Sequence, residues 1–495
     1  MNNKVVYLPL DERPCNYKFP KLLPKTNLNI INPSKDILGD KKIAANFEKI
    51  RNFLIDSTKD SDYLVLSIDM LLYGGIVPSR LHNLSYSTLE ERLRVLKVIK
   101  KNNPKIKIYA FGLIMRCPQY SSNDEEPDYY ENYGESIFNY GVLKHKKSLG
   151  IISDDELSCL NDLERNIPKE IILDFENRRD INKSLLLTTL RLYKEKIIDV
   201  FIIPQDDSAP YGYTALDKVS IKKEINSLNV NVLNYPGADE VGLVLLARVL
   251  NDVLNVKPKI YPFYASKFGS QVIPLYEDRI IDLTVSSQIE AVNGIRVDDI
   301  CHADFVLAIN IGSGMVDYFE EDCELYYKTN RNLDEFVDKI FKYISDGKKV
   351  MLADVAYANK GDLKLIKKLD SKNILFNLMG YGGWNTSSNS IGTAIASAIF
   401  AVNSIDHESI KKFLAYRYIE DVIYMGIVRL QVTARLKEYG MNYFYVKEEK
   451  GLASKLIEDE LNKYINDNFK KSLSSYKINI KLPWRRMFEI DLDLE

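Results

Sequence analysis

The segment VFIIPQDDSAPYGY, residues 200–213, decides the fold class. Its apolar run ends at Pro204, and two adjacent acids, Asp206 and Asp207, follow shortly after. A short apolar run bounded by turn residues is typical of a buried strand in a parallel sheet. Such sheets place their chemistry in the loops that follow the strands. The segment therefore predicts an α/β fold with a functional site after this strand.

Asp206 and Asp207 are the predicted catalytic residues. Successive side chains point apart, so one carboxylate can polarise a substrate group while its neighbour donates or accepts a proton. Their mutual repulsion would separate the two pKa values. The alternative is that Asp207 and Ser208 cap a following helix and interact with its positive end.

Ten short apolar runs are candidate strands, and helix-length segments lie between most of them. This alternation predicts an α/β fold with a parallel sheet. We expect a (β/α)8-barrel-like core with a helical C-terminal extension, and two Rossmann-like α/β lobes around a cleft are the alternative. The candidate strands are 4–10, 28–31, 63–68, 106–113, 200–204, 229–233, 259–264, 305–310, 349–353 and 374–378.

The length of 495 residues exceeds what one hydrophobic core usually reaches, which predicts two domains or one barrel with additions. We expect an α/β catalytic core over residues 1–403, with a helical insertion at 118–199 and an alternative lobe boundary near residue 256. Residues 404–495 are expected to be mostly helical, with strands at the end of the chain.

Composition argues against polymer and membrane partners. The formal net charge is -2, and no Lys/Arg cluster offers the concentrated positive charge that nucleic acids and anionic membranes require. No run approaches the roughly 18 apolar residues of a membrane span, and MNNKVVYLPL is predicted to be the first strand rather than a signal peptide. We expect a cytoplasmic protein whose partner is a small-molecule or oligosaccharide substrate.

Cysteine and histidine usage predicts no metal and no cofactor. The four histidines show neither HxH nor HExxH spacing, which disfavours a histidine-based metal site. The cysteines are scattered and form no CxxC pair, so neither a disulfide framework nor a zinc site is expected. These cysteines are Cys15, Cys117, Cys159, Cys301 and Cys323.

Polar residues and glycines follow nearly every candidate strand. Each has a structural alternative, because glycines can simply turn the chain, acids can charge a helix start, and buried arginines can be ion-pair partners. Together they predict one shared cleft at the carboxyl ends of the strands. The predicted substrate-binding residues are Asp11, Arg13, Asp69, Tyr73, Arg116, Asp239, Glu240, Asp354, Asn359, Tyr381, Trp384 and Asn385.

After residues 200–213, the segment GYGGWNTSSNSIGT, residues 380–393, is the most specific indication of a functional site. Trp384 offers an indole, and Asn385 and Asn389 offer amide donors and acceptors of the kind that recognise hydroxyl and acetamido groups of a sugar. A phosphate cradle at the start of the following small-residue helix is the rival, but the segment has neither GxxxxGK[ST] nor GxGxxG.

Several motifs in order resemble a bacterial family of about this length, known as domain of unknown function 4127. They are LPLDERP, DMLLYGGIVPSR, IMRCP, QDDSAPYG, YPGADE, ADVAYANKGD and GYGGWNTSSNSIGT, and the match spans roughly residues 4–400 and continues into the tail. The resemblance implies no activity, no catalytic residues and no fold, since the family has none assigned.

A looser similarity is to retaining hexosaminidases that use the substrate acetamido group as nucleophile. Those enzymes are (β/α)8 barrels with adjacent acids after the fourth strand. The similarity implies that Asp206 polarises the acetamido nitrogen and Asp207 is the general acid/base, with Arg13 and Trp384 holding the sugar.

Three functions remain open from the sequence. The first is a carbohydrate-active, glycosidase-like hydrolase that acts through the Asp206–Asp207 pair, on N-acetylhexosaminides or related glycosides. The second is a Mg²⁺- or Mn²⁺-dependent hydrolase of a small phosphorylated or amide substrate. The third is a non-catalytic sugar- or metabolite-binding protein with two α/β lobes. In the metal-dependent alternative, the carboxylates that bind the ion would be those of Asp11, Asp69, Asp206, Asp207, Asp239 and Asp354.

Overall fold

A computed structural model describes residues 3–312 and 331–495, and Cys323 lies outside them. The chain divides into two compact units that are not consecutive in sequence. Unit 1 comprises residues 1–12, 29–238 and 276–278, and unit 2 comprises residues 13–28, 239–275 and 279–495.

Unit 1 contains a five-stranded sheet in the order β2-β1-β3-β4-β5. Strands β1, β3, β4 and β5 pair in parallel. All five residues of the central strand β3, YLVLS, are buried, so both faces of the sheet are covered at this strand. Its strands are β1 Asn3–Leu8, β2 Leu28–Ile31, β3 Tyr63–Ser67, β4 Lys107–Phe111 and β5 Val200–Ile202.

Most helices of unit 1 lie between β2 and β5 along the chain, three long ones lie in the segment 118–199 between β4 and β5, and the last helix follows β5. A parallel sheet requires such crossovers, because each strand must start again at the same edge. The helices are Phe47–Ser57, Ile68–Tyr73, Pro78–Leu81, Tyr86–Leu93, Val95–Asn102, Tyr130–Ser148, Asp154–Asn166, Lys169–Lys194 and Tyr213–Leu228.

Unit 2 contains a second five-stranded sheet in the order β10-β9-β8-β6-β7, and all of its pairs are parallel. Every residue of β8 is buried, and so is every residue of β9 after Lys349. The strands are β6 Lys259–Tyr264, β7 Ile295–Arg296, β8 Phe305–Asn310, β9 Lys349–Asp354 and β10 Gly380–Gly382.

The remainder of unit 2 is mostly helical, and its last two strands, β11 Ile478–Lys481 and β12 Asp491–Leu494, form an antiparallel pair. One segment, Tyr418–Val428, is a π-helix. None of the helices in residues 3–312 and 331–495 is both long and apolar enough to cross a membrane. The α-helices are Pro14–Tyr17, Phe19–Leu22, Val241–Leu254, Ile281–Ala291, Leu333–Ser345, Leu363–Ser371, Ser387–Val402, His407–Arg417, Arg429–Leu436, Leu452–Asn468 and Lys470–Leu473.

The two sheets share one topology. When the strands of each sheet are numbered by their order along the chain, both sheets run 2-1-3-4-5. This is a doubly wound order, in which the direction of strand addition reverses once, between the first and third strands. The α/β prediction is confirmed. The eight-stranded barrel is not confirmed, and two five-stranded sheets fit the alternative of two lobes.

Residues 229–233 were predicted to form a strand, and the structure has none there. Asn229 is left-handed, with a φ of +50°, and ends the preceding helix, and Leu233 makes an isolated parallel bridge with Ile202 of β5. The alternation of polar and apolar residues therefore belongs to a segment that runs beside the edge strand β5 without forming a continuous ladder of hydrogen bonds.

The tenth predicted strand, 374–378, is also wrong in position, because the strand lies at Gly380–Gly382. A Cβ added to Gly380 would lie 2.3 Å from the carbonyl oxygen of Ala394 in the helix Ser387–Val402. Only glycine allows the strand and the helix to approach so closely. Because glycine has low strand propensity, the local sequence does not predict this strand.

Candidate functional site

Two arginines and four carboxylates form a buried network in unit 1, which we call the acid–arginine cluster: Arg80, Arg116, Glu125, Glu126, Asp206 and Asp207. Arg80 donates to Asp206 at 2.7 Å and to Glu125 at 2.9 Å. The pairs are interlocked, since each arginine also contacts both glutamates.

Arg116 supplies the second half of the cluster. Its Nε donates to Glu126 at 2.8 Å, and its Nη1 donates to Asp207 at 3.3 Å. About 27% of the Asp207 side chain is exposed, against 11% for Asp206 and 2% for Arg80. Asp207 is therefore the catalytic candidate that a substrate can reach more easily.

The backbone after β5 fixes both acids. The N–H of Asp206 donates to the carbonyl of Ile114 at 3.2 Å, and the N–H of Ser208 donates to the carbonyl of Tyr276 at 2.8 Å. Asp207 has a φ of +42°, a left-handed conformation that is uncommon for residues other than glycine, asparagine and aspartate. Strained backbone of this kind is concentrated at functional sites.

The helix-cap alternative for this pair is wrong. The next helix begins at Tyr213, its N-cap is Gly212, and no side chain caps it. Asp207 and Ser208 therefore do not stabilise a helix start. The acid pair instead holds guanidinium groups.

Two acids of unit 1, Asp207 and Asp69, have raised pKa values. Burial, and then the charge of Asp206, raise the pKa of Asp207 to about 6, although Arg116 and Arg80 act in the opposite direction. Burial likewise raises the pKa of Asp69 to about 7; the charge of Asp206 adds to this, and the Leu113 N–H, 2.9 Å from Asp69 Oδ2, opposes it. Carboxyl groups that titrate near neutral pH can exchange protons with a substrate.

Three other predicted residues of unit 1 are buried near strand ends. Asp69 and Tyr73 lie on the helix Ile68–Tyr73 after β3, and Asp11 follows β1. The Tyr73 ring stacks on His82 with 4.7 Å between ring centroids. Burial, with the charge of Asp69, raises the pKa of Tyr73 well above its usual value, so this phenol stays neutral.

In unit 2, Asp239 is the centre of a second group of predicted residues. Its carboxylate accepts hydrogen bonds from Arg13 at 2.6 Å, from Asn16 at 2.9 Å and from Asn385 at 3.0 Å. Glu240 accepts a hydrogen bond from Gln288 at 2.7 Å. Asp239 is only 6% exposed and meets three donors, which is the environment of a structural carboxylate.

Trp384 and its neighbours shape the loop after β10. The indole packs against Phe488 with 5.8 Å between ring centroids and is 6% exposed. Asn385 and Asn359 both have positive φ angles, of 67° and 60°. The N–H of Asn359 donates to the carbonyl of Asn385 at 3.0 Å, which ties the loop after β9 to the loop after β10.

Asp354, at the end of β9, lies in a buried polar network. Tyr381 donates to it at 2.9 Å and Asn310 donates at 2.7 Å. Burial, and then the neighbouring charge of Asp362, raise the pKa of Asp354 to about 7. Tyr381 has no exposed surface.

The predicted residues thus form separate groups. Asp206, Asp207 and Arg116 share the acid–arginine cluster of unit 1, where Asp69 interacts with Asp206 electrostatically. In unit 2, Arg13 and Asn385 both bind Asp239, and Tyr381 binds Asp354.

Three members of the cluster are absent from the predicted site residues: Arg80, Glu125 and Glu126. The adjacent acids in SNDEEPD, residues 122–128, were a usable signal, because two acids in a loop with no helical pattern require a solvent or ionic partner. Nothing in the local sequence indicates that Arg80 is that partner.

Within residues 3–312 and 331–495, no group of three or more His, Cys, Asp or Glu side chains is arranged so that it could hold a metal ion. The four cysteines in these residues are free thiols, two of them buried and two exposed.

The chain belongs to the family described as "Protein of unknown function (DUF4127)", whose model matches residues 5–493. The match covers almost the whole chain, so both units are part of the family. No curated protein matches the sequence significantly.

Proposed function

We propose that this chain, whose family carries no assigned activity, is a carbohydrate-active hydrolase with a glycosidase-like mechanism. Asp207 acts as general acid/base, and the neighbouring carboxylate of Asp206 orients or polarises a substrate group. A small hydroxyl-rich molecule or oligosaccharide is the substrate class, and N-acetylhexosaminides are the first candidates. A cytoplasmic location stays a prediction from the sequence.

One observation carries the proposal. Asp207 has a pKa of about 6, about a quarter of its side chain is exposed, and it lies next to an acid that is bound to Arg80. A carboxyl group with this pKa is partly protonated near neutral pH, so it can protonate a leaving oxygen and then deprotonate water. Glycoside hydrolysis requires both of these proton transfers.

The charge of the cluster supports a neutral substrate. Two guanidinium groups face the carboxylates of Glu125, Glu126 and Asp206, so negative charge exceeds positive charge even when Asp207 is protonated. An anionic substrate would be repelled, whereas sugar hydroxyl groups can donate hydrogen bonds to carboxylates.

The experiment compares hydrolysis of glycosides by the wild type, Asp207→Asn and Asp206→Asn. Asparagine tolerates positive φ, so Asp207→Asn changes the charge and keeps the backbone. Asp180→Asn is the matched control, because Asp180 belongs to the same unit and its side chain is 68% exposed. We expect Asp207→Asn to lower kcat by about 10²- to 10⁴-fold, and the control to match the wild type.

Two readouts separate a proton-transfer role from a structural one. Loss of a general acid affects substrates with poor leaving groups most, so alkyl glycosides should suffer more than nitrophenyl glycosides. The wild-type rate should fall as pH rises through about 6, where Asp207 loses its proton, and this limb should be absent in Asp207→Asn. Equal losses for both substrate types, or no turnover of any glycoside, would overturn the proposal.

A second candidate is a sugar- or metabolite-binding protein without catalysis. The 2-1-3-4-5 strand order that both units share favours it, because it supports Rossmann-like lobes as the finer fold of each unit. Calorimetry would then show saturable ligand binding without turnover, and Asp207→Asn would change the affinity alone.

A further inference from the structure

We infer that unit 2 holds a separate binding site for a phosphorylated small molecule, in a cavity of about 900 Å³ at the carboxyl ends of β6 and β8. The site belongs to the other unit from the acid–arginine cluster, so the inference does not depend on the proposed hydrolase activity.

The position in the sheet is the first argument. Tyr264, the last residue of β6, lines the cavity. Arg331 also lines it and donates a hydrogen bond to Asn310, the last residue of β8. The strand order of unit 2 reverses between β6 and β8, and open α/β sheets bind ligands in the crevice at that point. The volume lies within the range of small-molecule pockets.

The charge of the lining is the second argument. Among the described residues, five cationic side chains and two acids, Asp334 and Glu335, line the cavity. A third acid, Asp362, pairs with one of these cations, Arg331, so positive side chains still outnumber negative ones. A phosphate monoester carries close to two negative charges at neutral pH, which suits this excess. The cations are Lys267, Arg331, Lys339, Lys364 and Lys368.

The two acids do not prevent an anion from entering. Asp334 pairs with Lys368, and Glu335 pairs with Lys339 at 2.8 Å. The acid side chains are 78% and 58% exposed, and ion pairs so open to solvent contribute little. Lys368 can therefore exchange its carboxylate partner for a phosphate group with little loss.

Arg331 and Phe268 give the cavity a fixed floor and an apolar rim. The Arg331 side chain is about 1% exposed, and Asp362 holds it at 2.9 Å, so little side-chain freedom is lost when a ligand binds next to it. Phe268 is 63% exposed and offers a flat apolar surface beside Lys267, whose Nζ lies 5.7 Å from the ring centroid. A ligand with both an anionic and an apolar or ring-shaped part would use both surfaces.

The test is calorimetry on the full chain with four probes: inorganic phosphate, adenosine monophosphate, adenosine and succinate. We expect saturable binding of phosphate, tighter binding of adenosine monophosphate, and none of adenosine. The double variant Lys267→Gln/Lys368→Gln should weaken binding of adenosine monophosphate by about tenfold or more, because it removes two charge-assisted contacts.

Two controls accompany the test. Lys342→Gln removes a charge from an exposed position of the helix Leu333–Ser345 that does not line the cavity, and it should bind as the wild type does. Asp207→Asn should also bind normally, which separates this site from the hydrolase proposal. Absence of saturable phosphate binding, equal binding of adenosine, tighter binding of succinate, or an equal loss in Lys342→Gln would each overturn the inference.

Discussion

Arg80 Nη2 donates a hydrogen bond to Asp206 Oδ2 at 2.7 Å, although the two residues are 126 positions apart in the sequence. Arg80 also contacts Glu125 and Glu126, so one buried guanidinium pairs with three carboxyl groups. The acid pair after β5 is therefore held by the segment after β3.

This relationship predicts that Arg80→Gln destabilises the protein. Three carboxylates would lose a cation in a site with little water, and removal of one partner of a buried ion pair costs about 3–5 kcal/mol. Urea unfolding would measure the loss, and Arg80→Lys should recover part of it. Arg94→Gln is the control, because Arg94 is 62% exposed and its pairs should be worth less than about 1 kcal/mol. Equal stability of Arg80→Gln and Arg94→Gln would contradict the prediction.

The raised pKa of Asp69 predicts a pH-dependent stability. Between pH 4, where the carboxyl group titrates in the unfolded chain, and pH 7, where it titrates in the folded chain, the folded state binds more protons. Stability contributed by this group therefore falls as pH rises through that window. Asp69→Asn removes the ionisation, so the variant should gain about 4 kcal/mol relative to the wild type between pH 4 and pH 8.

Urea unfolding at pH 4, 6 and 8 would measure this effect of Asp69→Asn. Asp180→Asn is again a suitable control, since its exposed carboxyl group should leave the wild-type pH dependence unchanged. A constant difference between Asp69→Asn and the wild type at all three values would argue against a shifted pKa at Asp69.

The close approach of β10 to the helix Ser387–Val402 predicts that Gly380→Ala is destabilising. The added Cβ would lie 2.3 Å from the Ala394 carbonyl oxygen, which is backbone and cannot move aside like a side chain. Overpacking of this kind costs about 1–3 kcal/mol or more. Gly426→Ala, in the π-helix, meets no atom within 4 Å and should be neutral or slightly stabilising. Thermal unfolding of both variants would test the contrast, and a stable Gly380→Ala would refute it.

The donors around Asp239 predict a structural role for this residue. Asp239→Asn would leave the buried Arg13 with a weaker partner, and its amide hydrogens would face those of Asn16 or Asn385. We expect a loss of about 3 kcal/mol in urea unfolding. Asp298→Asn, with a side chain that is 98% exposed, should change stability by less than about 0.5 kcal/mol. If Asp239→Asn were as stable as this control, Asp239 would be free for a ligand-binding role.

The strands that the sequence predicted well are those that consist of an unbroken or nearly unbroken run of apolar residues. β3 and β8 are continuous apolar runs because both faces of a parallel sheet are covered. β10 consists of Gly-Tyr-Gly, and its position depends on the helix that packs against it, so no local pattern could have shown it. β7 has only two residues, Ile295 and Arg296, which is too short for any periodicity.

The acid–arginine cluster was likewise predictable only where its residues follow the pattern of a strand. Asp206 and Asp207 were found because they directly follow an apolar run, and Arg116 because it follows β4. Glu125 and Glu126 lie in a loop without a strand or helix pattern, so their role depends on which cations fold next to them. Those cations come from two other strand ends.

The sequence by itself determined the α/β class and the placement of the acid pair at the end of β5, since both follow from patterns within a few residues. The tertiary structure decided that the strands form two sheets of one topology, and that Arg80 and Arg116 bind the acids. The physical reason is the distance along the chain over which the interactions act. Hydrophobic periodicity depends only on residues that are near one another in the sequence. Strand order and buried ion pairing depend on which distant segments exclude water together.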